Sequence, residues 1–337
     1  FALPGGHIGV HSALLTLTRN ESELAGVMAH ETAHVLQKHQ ARMIHSMGRT
    51  QWTSIAALAL AILASRSSSS QGGQITEAAV ASAGALQMQN EIDYTREHER
   101  EADRVGLTLL ERSGFDPRGM ETFFERLLRA NRLNEFKGMP SYLRTHPLTT
   151  ERIAEMQDRL QRVPTKMVPD SFEYLLARAK LRAMTGSATE AVTYFRTLLE
   201  DQTVLRPRED VYGLAYALRR ARDFDAAWKT LEPIRGGQVD ARPLPVLGVA
   251  LPPHPAFELL AGQLKVDMHK EDEAMSIYRA ALRVYPHHRG LVYAYLELLL
   301  QTGHSKEALA DLEERLRYST EDWRLYELQA RAFEAEH

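Results

Sequence analysis

His30-Glu31-Thr32-Ala33-His34 places two imidazoles four residues apart, so on a helix they project from one face and can share a metal ion. Glu31 between them is the base that such a metal needs to draw a proton from water. The surrounding residues read as helix. Asn20 is an N-cap with Glu23 three residues on, and Leu24, Val27, Met28, Ala33 and Val35 supply apolar positions for burial.

A catalytic zinc usually takes three protein ligands and leaves one position open, so the pair needs a third partner from elsewhere. His39 is close in sequence but sits about 500° along the helix from His34, roughly 140° off the metal-facing side. No glycine intervenes to turn the chain, so His39 is expected at the surface. A better source is Glu97-His98-Glu99-Arg100-Glu101-Ala102-Asp103. Glu99 and Asp103 share a helix face, whereas Glu101 points about 200° away from Glu99. In isolation these acids would suit a solvated helix face. Beside the His30 motif, Glu99 is expected to bind the metal and Asp103 to accept the distal N–H of a ligating histidine.

The elements that must hold this chemistry are mostly helical. Gly5 to His11 reads as a turn and a short strand, able to pair with an extended substrate; His7 and His11 themselves suit packing. The apolar run Ile55 to Ala64 is too short to span a bilayer. With the serine-rich loop after it and the small-residue stretch Ile75 to Leu86, it suits a helical hairpin on the catalytic core, or a lid or membrane-surface contact. Gly114 ends the helix carrying Glu99, and Pro117 behind Asp116 opens the next. His146, stiffened by Pro147, has three candidate roles: oxyanion stabiliser, regulatory fourth ligand or helix cap. Of the three, the regulatory fourth ligand is the favoured expectation.

From about Ser171 the pattern changes to paired amphipathic helices of tetratricopeptide length. Glu273-Ala274 and Glu307-Ala308 are 34 residues apart, and Gly262, Ala274, Tyr278, Ala281 and Pro286 form the best unit. Units around Ala191 with Phe195 and Ala227 with Trp228 are less regular, and a Pro/Gly-rich insertion spans Arg235 to Pro255. About four repeats would make a solenoid.

The 337 residues suffice for two domains, expected at 1–164 and 165–337. With 44 acidic against 41 basic residues the net charge is -3, which gives no polyanion-binding surface and excludes nucleic acid as an expected partner. There is no cysteine, so disulfides and thiolate chemistry are excluded and any metal must rest on His, Asp or Glu. The chain starts at Phe1, and a missing upstream segment is expected, so nothing follows about export.

The His-Glu-x-x-His motif, then Glu99 to Asp103 in a Glu-Ala-Asp-Arg-x-Gly setting, resembles the M48 zinc metallopeptidases. The Gly5-Gly6 strand, Asn20 to Ala25, Arg112 to Pro117 and Thr145-His146-Pro147-Leu148, followed by repeats, resemble envelope members of that family. The resemblance implies a mainly α protein: a zincin-type α+β metallopeptidase domain, then an α-solenoid of tetratricopeptide (TPR) hairpins. It implies one Zn2+ on His30, His34 and Glu99, with Glu31 catalytic. Asp103 would be a proton donor by that resemblance, although holding a ligand suits an acid engaged with histidine better. It further implies a Gram-negative periplasmic endopeptidase that removes misassembled outer-membrane proteins and assists their assembly. Assembly machinery would dock on the repeats, and the membrane would be near. The competing expectation is a chaperone or assembly adaptor acting through its repeats, with the peptidase largely dormant.

Overall fold

The computed structural model describes residues 1–3, 5–43, 45, 95–132, 146–200, 208–235 and 254–336. The hairpin expected between Ile55 and Leu86 and the core of the Pro/Gly-rich insertion lie outside them. The chain divides into two compact units, Phe1–Ser171 and Phe172–His337. It is mainly α-helical, with one small antiparallel sheet among the described residues.

In the first unit, β1 (Ala2–Leu3) pairs with β2 (His7–Ile8), which stops short of His11, the end of the expected turn and strand. After α1 (Ser12–Leu17), helix α2 (Glu21–Leu36) starts where the Asn20 side chain accepts from the Glu23 N–H at 2.9 Å. The Glu23 carboxylate is buried and takes two hydrogen bonds from Arg126, at 2.9 and 2.6 Å, so the cap is also a tertiary anchor.

Helix α2 ends at Leu36, and Lys38 then takes a φ of 53°. That left-handed residue turns the chain into α3, residues 39–43. Helix α4, residues 95–112, carries the acidic face, and Gly114 follows it with a φ of 87°. Helices α5 (Arg118–Arg132) and α6 (Thr150–Leu160) follow among the described residues of the unit.

Glycines set how closely these helices approach. A Cβ on Gly26 would lie 2.7 Å from the Met120 Cα, and one on Gly119 would lie 2.5 Å from the Ser22 carbonyl oxygen, so α2 and α5 nearly touch backbone to backbone. Gly106 plays the same part between α4 and α2, where a Cβ would sit 3.2 Å from the His30 backbone. Asp103 and Glu99 lie one and two turns before Gly106, so this approach delivers both to His30. Leu107, Leu110, Met120, Phe123, Phe124, Leu127, Ile153 and Met156 form the surrounding core. Full burial of a ring such as Phe124 contributes about 1.5–3 kcal/mol.

The second unit runs α7 (Phe172–Met184), α8 (Ala188–Glu200), α9 (Arg208–Arg220), α10 (Phe224–Arg235), α11 (Pro255–Asp267), α12 (Glu271–Val284), α13 (Arg289–Gln301), α14 (Ser305–Leu316) and α15 (Trp323–Glu336). Helices α7, α9, α11, α13 and α15 each pack on the next in that series as well as on a sequence neighbour. The turns after α7, α9, α11 and α13 each include a left-handed residue: Gly186, Arg222, His269 and Gly303. Small residues meet aromatics where neighbouring helices touch. The Tyr278 ring fills the space over Gly262, where a Cβ would lie 2.1 Å from it, and Phe195 does the same over Gly213.

Candidate metal centre

The donors converge from three places in the sequence. His30 and His34 stand one turn apart on α2, with Nε2 atoms 3.1 Å apart. Glu99 reaches them from α4, its Oε2 3.4 Å from His30 Nε2 and its Oε1 3.4 Å from His34 Nε2. His146, only 8% exposed and just ahead of α6, places Nδ1 3.0 Å from Glu99 Oε1 and 3.4 Å from His30 Nε2. One donor atom from each of these four residues lies within 4.8 Å of the others.

This donor set fits a divalent cation of the zinc class: three imidazoles and one carboxylate, all of moderate hardness and on a scale one ion can bridge. The Glu31 carboxylate lies beside it, with Oε1 3.5 Å from His146 Nε2. Both Glu31 oxygens are buried and accept no hydrogen bond among the described residues, leaving their lone pairs for a group that enters the site.

Asp103 stands behind His30, its Oδ1 3.0 Å from His30 Nδ1 on the ring edge away from His34. Arg152 holds Asp103 in turn, through Nε to Oδ2 and Nη2 to Oδ1, both at 2.7 Å. The same guanidinium lies 2.9 Å from Glu99 Oε2 and donates to the Pro147 carbonyl, also at 2.9 Å. Arg152 therefore ties both carboxylates to the loop that carries His146. Sequence reasoning missed it. The available signal was a pair of buried acids with no cation assigned to them, since charges buried on one face need an opposite charge.

His39 is where the surface expectation fails. It is 3% exposed, because the Lys38 turn breaks the helical wheel on which that expectation rested. It does not join the four-donor group; its Nδ1 lies 2.8 Å from His34 Nδ1 and its Nε2 3.1 Å from Glu101 Oε2. Glu101, set aside for pointing away from Glu99, also accepts from Arg42 at 3.0 Å.

Electrostatics follow from burial and from these pairs. Burial disfavours the His30 imidazolium, but Asp103 and Glu99 outweigh it and raise His30 to about 9 in the metal-free protein. Burial would raise the Glu99 and Asp103 carboxyls, yet His146, His30 and His34 hold Glu99 far below the carboxylate range and His30 and Arg152 hold Asp103 below its own. Burial lowers His34, with the neighbouring His30 and His146 acting in the same direction against Glu99. Phe124 forms an apolar floor, its ring edge-on to His30 at 5.5 Å between centroids.

A histidine pair on one helix with a carboxylate from a second, and a glutamate beside them, is the layout of a single-metal peptidase. Residues 1–160 match the family model for peptidase family M48. The beta-barrel assembly-enhancing protease of Escherichia coli (strain K12) is 34% identical over 330 residues, 96% of this chain. A putative beta-barrel assembly-enhancing protease of Vibrio cholerae is 36% identical over 230 residues, 67% of this chain and 46% of its own. The mitochondrial metalloendopeptidase OMA1 of Schizosaccharomyces pombe is 29% identical over 166 residues, 49% of this chain and 44% of its own. This chain spans 62% of the length of the Escherichia coli protein. No helix among the described residues is long and apolar enough to cross a membrane.

Proposed function

We propose that this chain is a zinc-dependent endopeptidase of the Gram-negative periplasm that degrades misassembled outer-membrane proteins. The observation that carries the reading is the convergence of His30, His34 and Glu99 donor atoms beside a Glu31 carboxylate with no hydrogen-bond partner among the described residues. The names of the bacterial relatives support outer-membrane proteins as the client class. The stacked helices of the second unit, with small residues facing aromatics, suit tetratricopeptide docking of clients or assembly machinery.

His30, His34 and Glu99 would hold the ion, which when bound polarises the scissile carbonyl and acidifies water. Glu31 takes the proton of the attacking water and returns it to the departing amine. Asp103 fixes the His30 ring through Nδ1, and Arg152 keeps Asp103 ionised for that task. Engaged with both His30 and Arg152, Asp103 is poorly placed to protonate a leaving group. His146 stands within the donor group and would, as a fourth ligand, take the position that a substrate needs, which suits a dormant state relieved when His146 moves away. That dormancy gives the adaptor reading its support, since a rarely used peptidase leaves the helices of the second unit free to act alone.

The test is the purified chain with Zn2+ and an unfolded outer-membrane β-barrel protein. Glu31→Gln should cut the cleavage rate by about 10²–10⁴-fold while Zn2+ still binds. Cleavage at the native rate by Glu31→Gln overturns the mechanism, and absence of Zn2+ binding by the native chain overturns the site.

A further inference from the structure

His34 is held differently from its partner ligand. The far nitrogen of His30 meets a carboxylate directly, whereas that of His34 meets the Nδ1 of another imidazole, His39, at 2.8 Å. A carboxylate comes only after His39, with Glu101 Oε2 3.1 Å from His39 Nε2.

Proton positions along this row follow from one condition. His34 Nε2 faces His30 and Glu99, so for His34 to offer that nitrogen to a cation its proton must sit on Nδ1. The Nδ1–H then donates to His39 Nδ1, which must be the unprotonated nitrogen of its ring. His39 consequently carries its proton on Nε2 and donates it to Glu101, an acceptor-only group. Each atom in the row has one role and none is left over.

The surroundings hold His39 in that orientation. Its ring stacks on His98 at 4.3 Å between centroids and 3° between planes. Arg42 donates to the same Glu101 oxygen at 3.0 Å. The turn at Lys38, with its φ of 53° on a residue with a full side chain, is what brings His39 back against His34.

We propose that His39 is a positioning residue for the metal centre, fixing the tautomer and ring orientation of His34 and transmitting the charge of Glu101 to it without touching the ion. This rests on the reading of His34 as a ligand. Two ligands held by different relays give the site two controls: His30 answers to Asp103 and Arg152, and His34 answers to Glu101 and Arg42 at the protein surface. Loss of His39 frees the His34 ring to turn or to place its proton on Nε2, and either weakens its bond to a metal.

The experiment measures Zn2+ affinity by competition with a chromophoric chelator on the full chain, and the absorption spectrum of the Co2+-loaded form. His39→Phe keeps the ring and its stacking on His98 and removes the acceptor; it should weaken Zn2+ by about 10–100-fold and alter the Co2+ ligand-field bands. His39→Asn restores an acceptor toward His34 and should recover most of the loss. Glu101→Gln, partly exposed and so safe for folding, should weaken Zn2+ less than His39→Phe, and should add nothing in the His39→Phe background. Unchanged affinity in His39→Phe, or a full additional loss from Glu101→Gln in that background, overturns the relay. Should His39→Phe fail to fold, unchanged affinity in Glu101→Gln overturns it instead. A native chain that binds no Zn2+ overturns the ligand reading itself, whereas Zn2+ binding lost in His30→Ala but intact in His39→Phe overturns only the relay.

Discussion

Arg152 grips both oxygens of Asp103, and its third nitrogen reaches the backbone of Pro147, the residue after His146. One side chain, 2% exposed, thus links the acid behind His30 to the loop that delivers the fourth donor.

Arg152→Met should destabilise the metal-free protein by up to about 3–5 kcal/mol, because it leaves two buried carboxylates, Asp103 and Glu99, with the His30 imidazolium alone to balance them. Urea unfolding in the presence of a chelator measures this. Arg152→Lys keeps the charge but loses the fork that spans Asp103, so it should recover only part of the stability.

His146→Ala should raise the cleavage rate of an unfolded client, since it removes the donor that completes the group around His30, His34 and Glu99. Initial rates at saturating Zn2+ decide the matter: a rate equal to or below that of the native chain would show that His146 assists the reaction rather than restrains it.

Metal loading should release protons. In the metal-free protein His30 keeps its proton up to about 9, and that proton must leave before the ring can bind an ion. Apparent Zn2+ affinity should therefore rise with pH, by as much as about tenfold per unit while one proton is displaced, and level off near that value. Calorimetry in buffers of different ionisation enthalpy counts the protons. The stability of the metal-free form runs the other way at alkaline pH. A folded pKa above the ordinary 6.5 adds stability that is complete below 6.5 and lost as pH rises through about 9. The lowered Glu99 and Asp103 add stability that is present above their ordinary 4.5 and 3.8 and lost on further acidification. Chelated protein should therefore lose urea resistance as pH rises from 6.5 through about 9, and lose it on the acid side too, where the lowered His34 also disfavours the folded state.

Gly26→Val should cost at least about 1–3 kcal/mol, because the new side chain meets the Met120 backbone, which cannot step aside without parting α2 from α5. Thermal unfolding checks the loss. Zn2+ affinity should fall with it, as α2 carries both histidines.

The residues whose chemistry is local were legible from the chain alone. Helical geometry puts His30 beside His34 and Glu99 beside Asp103 whatever surrounds them, and Asn20 caps α2 through an atom three residues away. The change to paired helices after Ser171 was legible for the same reason: Gly262, Ala274 and Tyr278 record which faces must touch. Long-range packing decided the rest. His146 meets His30 across 116 residues of chain, and Arg152 reaches Asp103 across 49, distances over which no periodicity carries information. The clearest case is Lys38, whose left-handed backbone costs about 1–2 kcal/mol and has no signature in its residue type. The contacts of His39 with His34, His98 and Glu101 offset that cost, and they exist only once α2 and α4 have packed. Sequence by itself determined which groups could do the chemistry; tertiary structure decided which of them meet, because side-chain convergence is a property of packed helices rather than of any one helix.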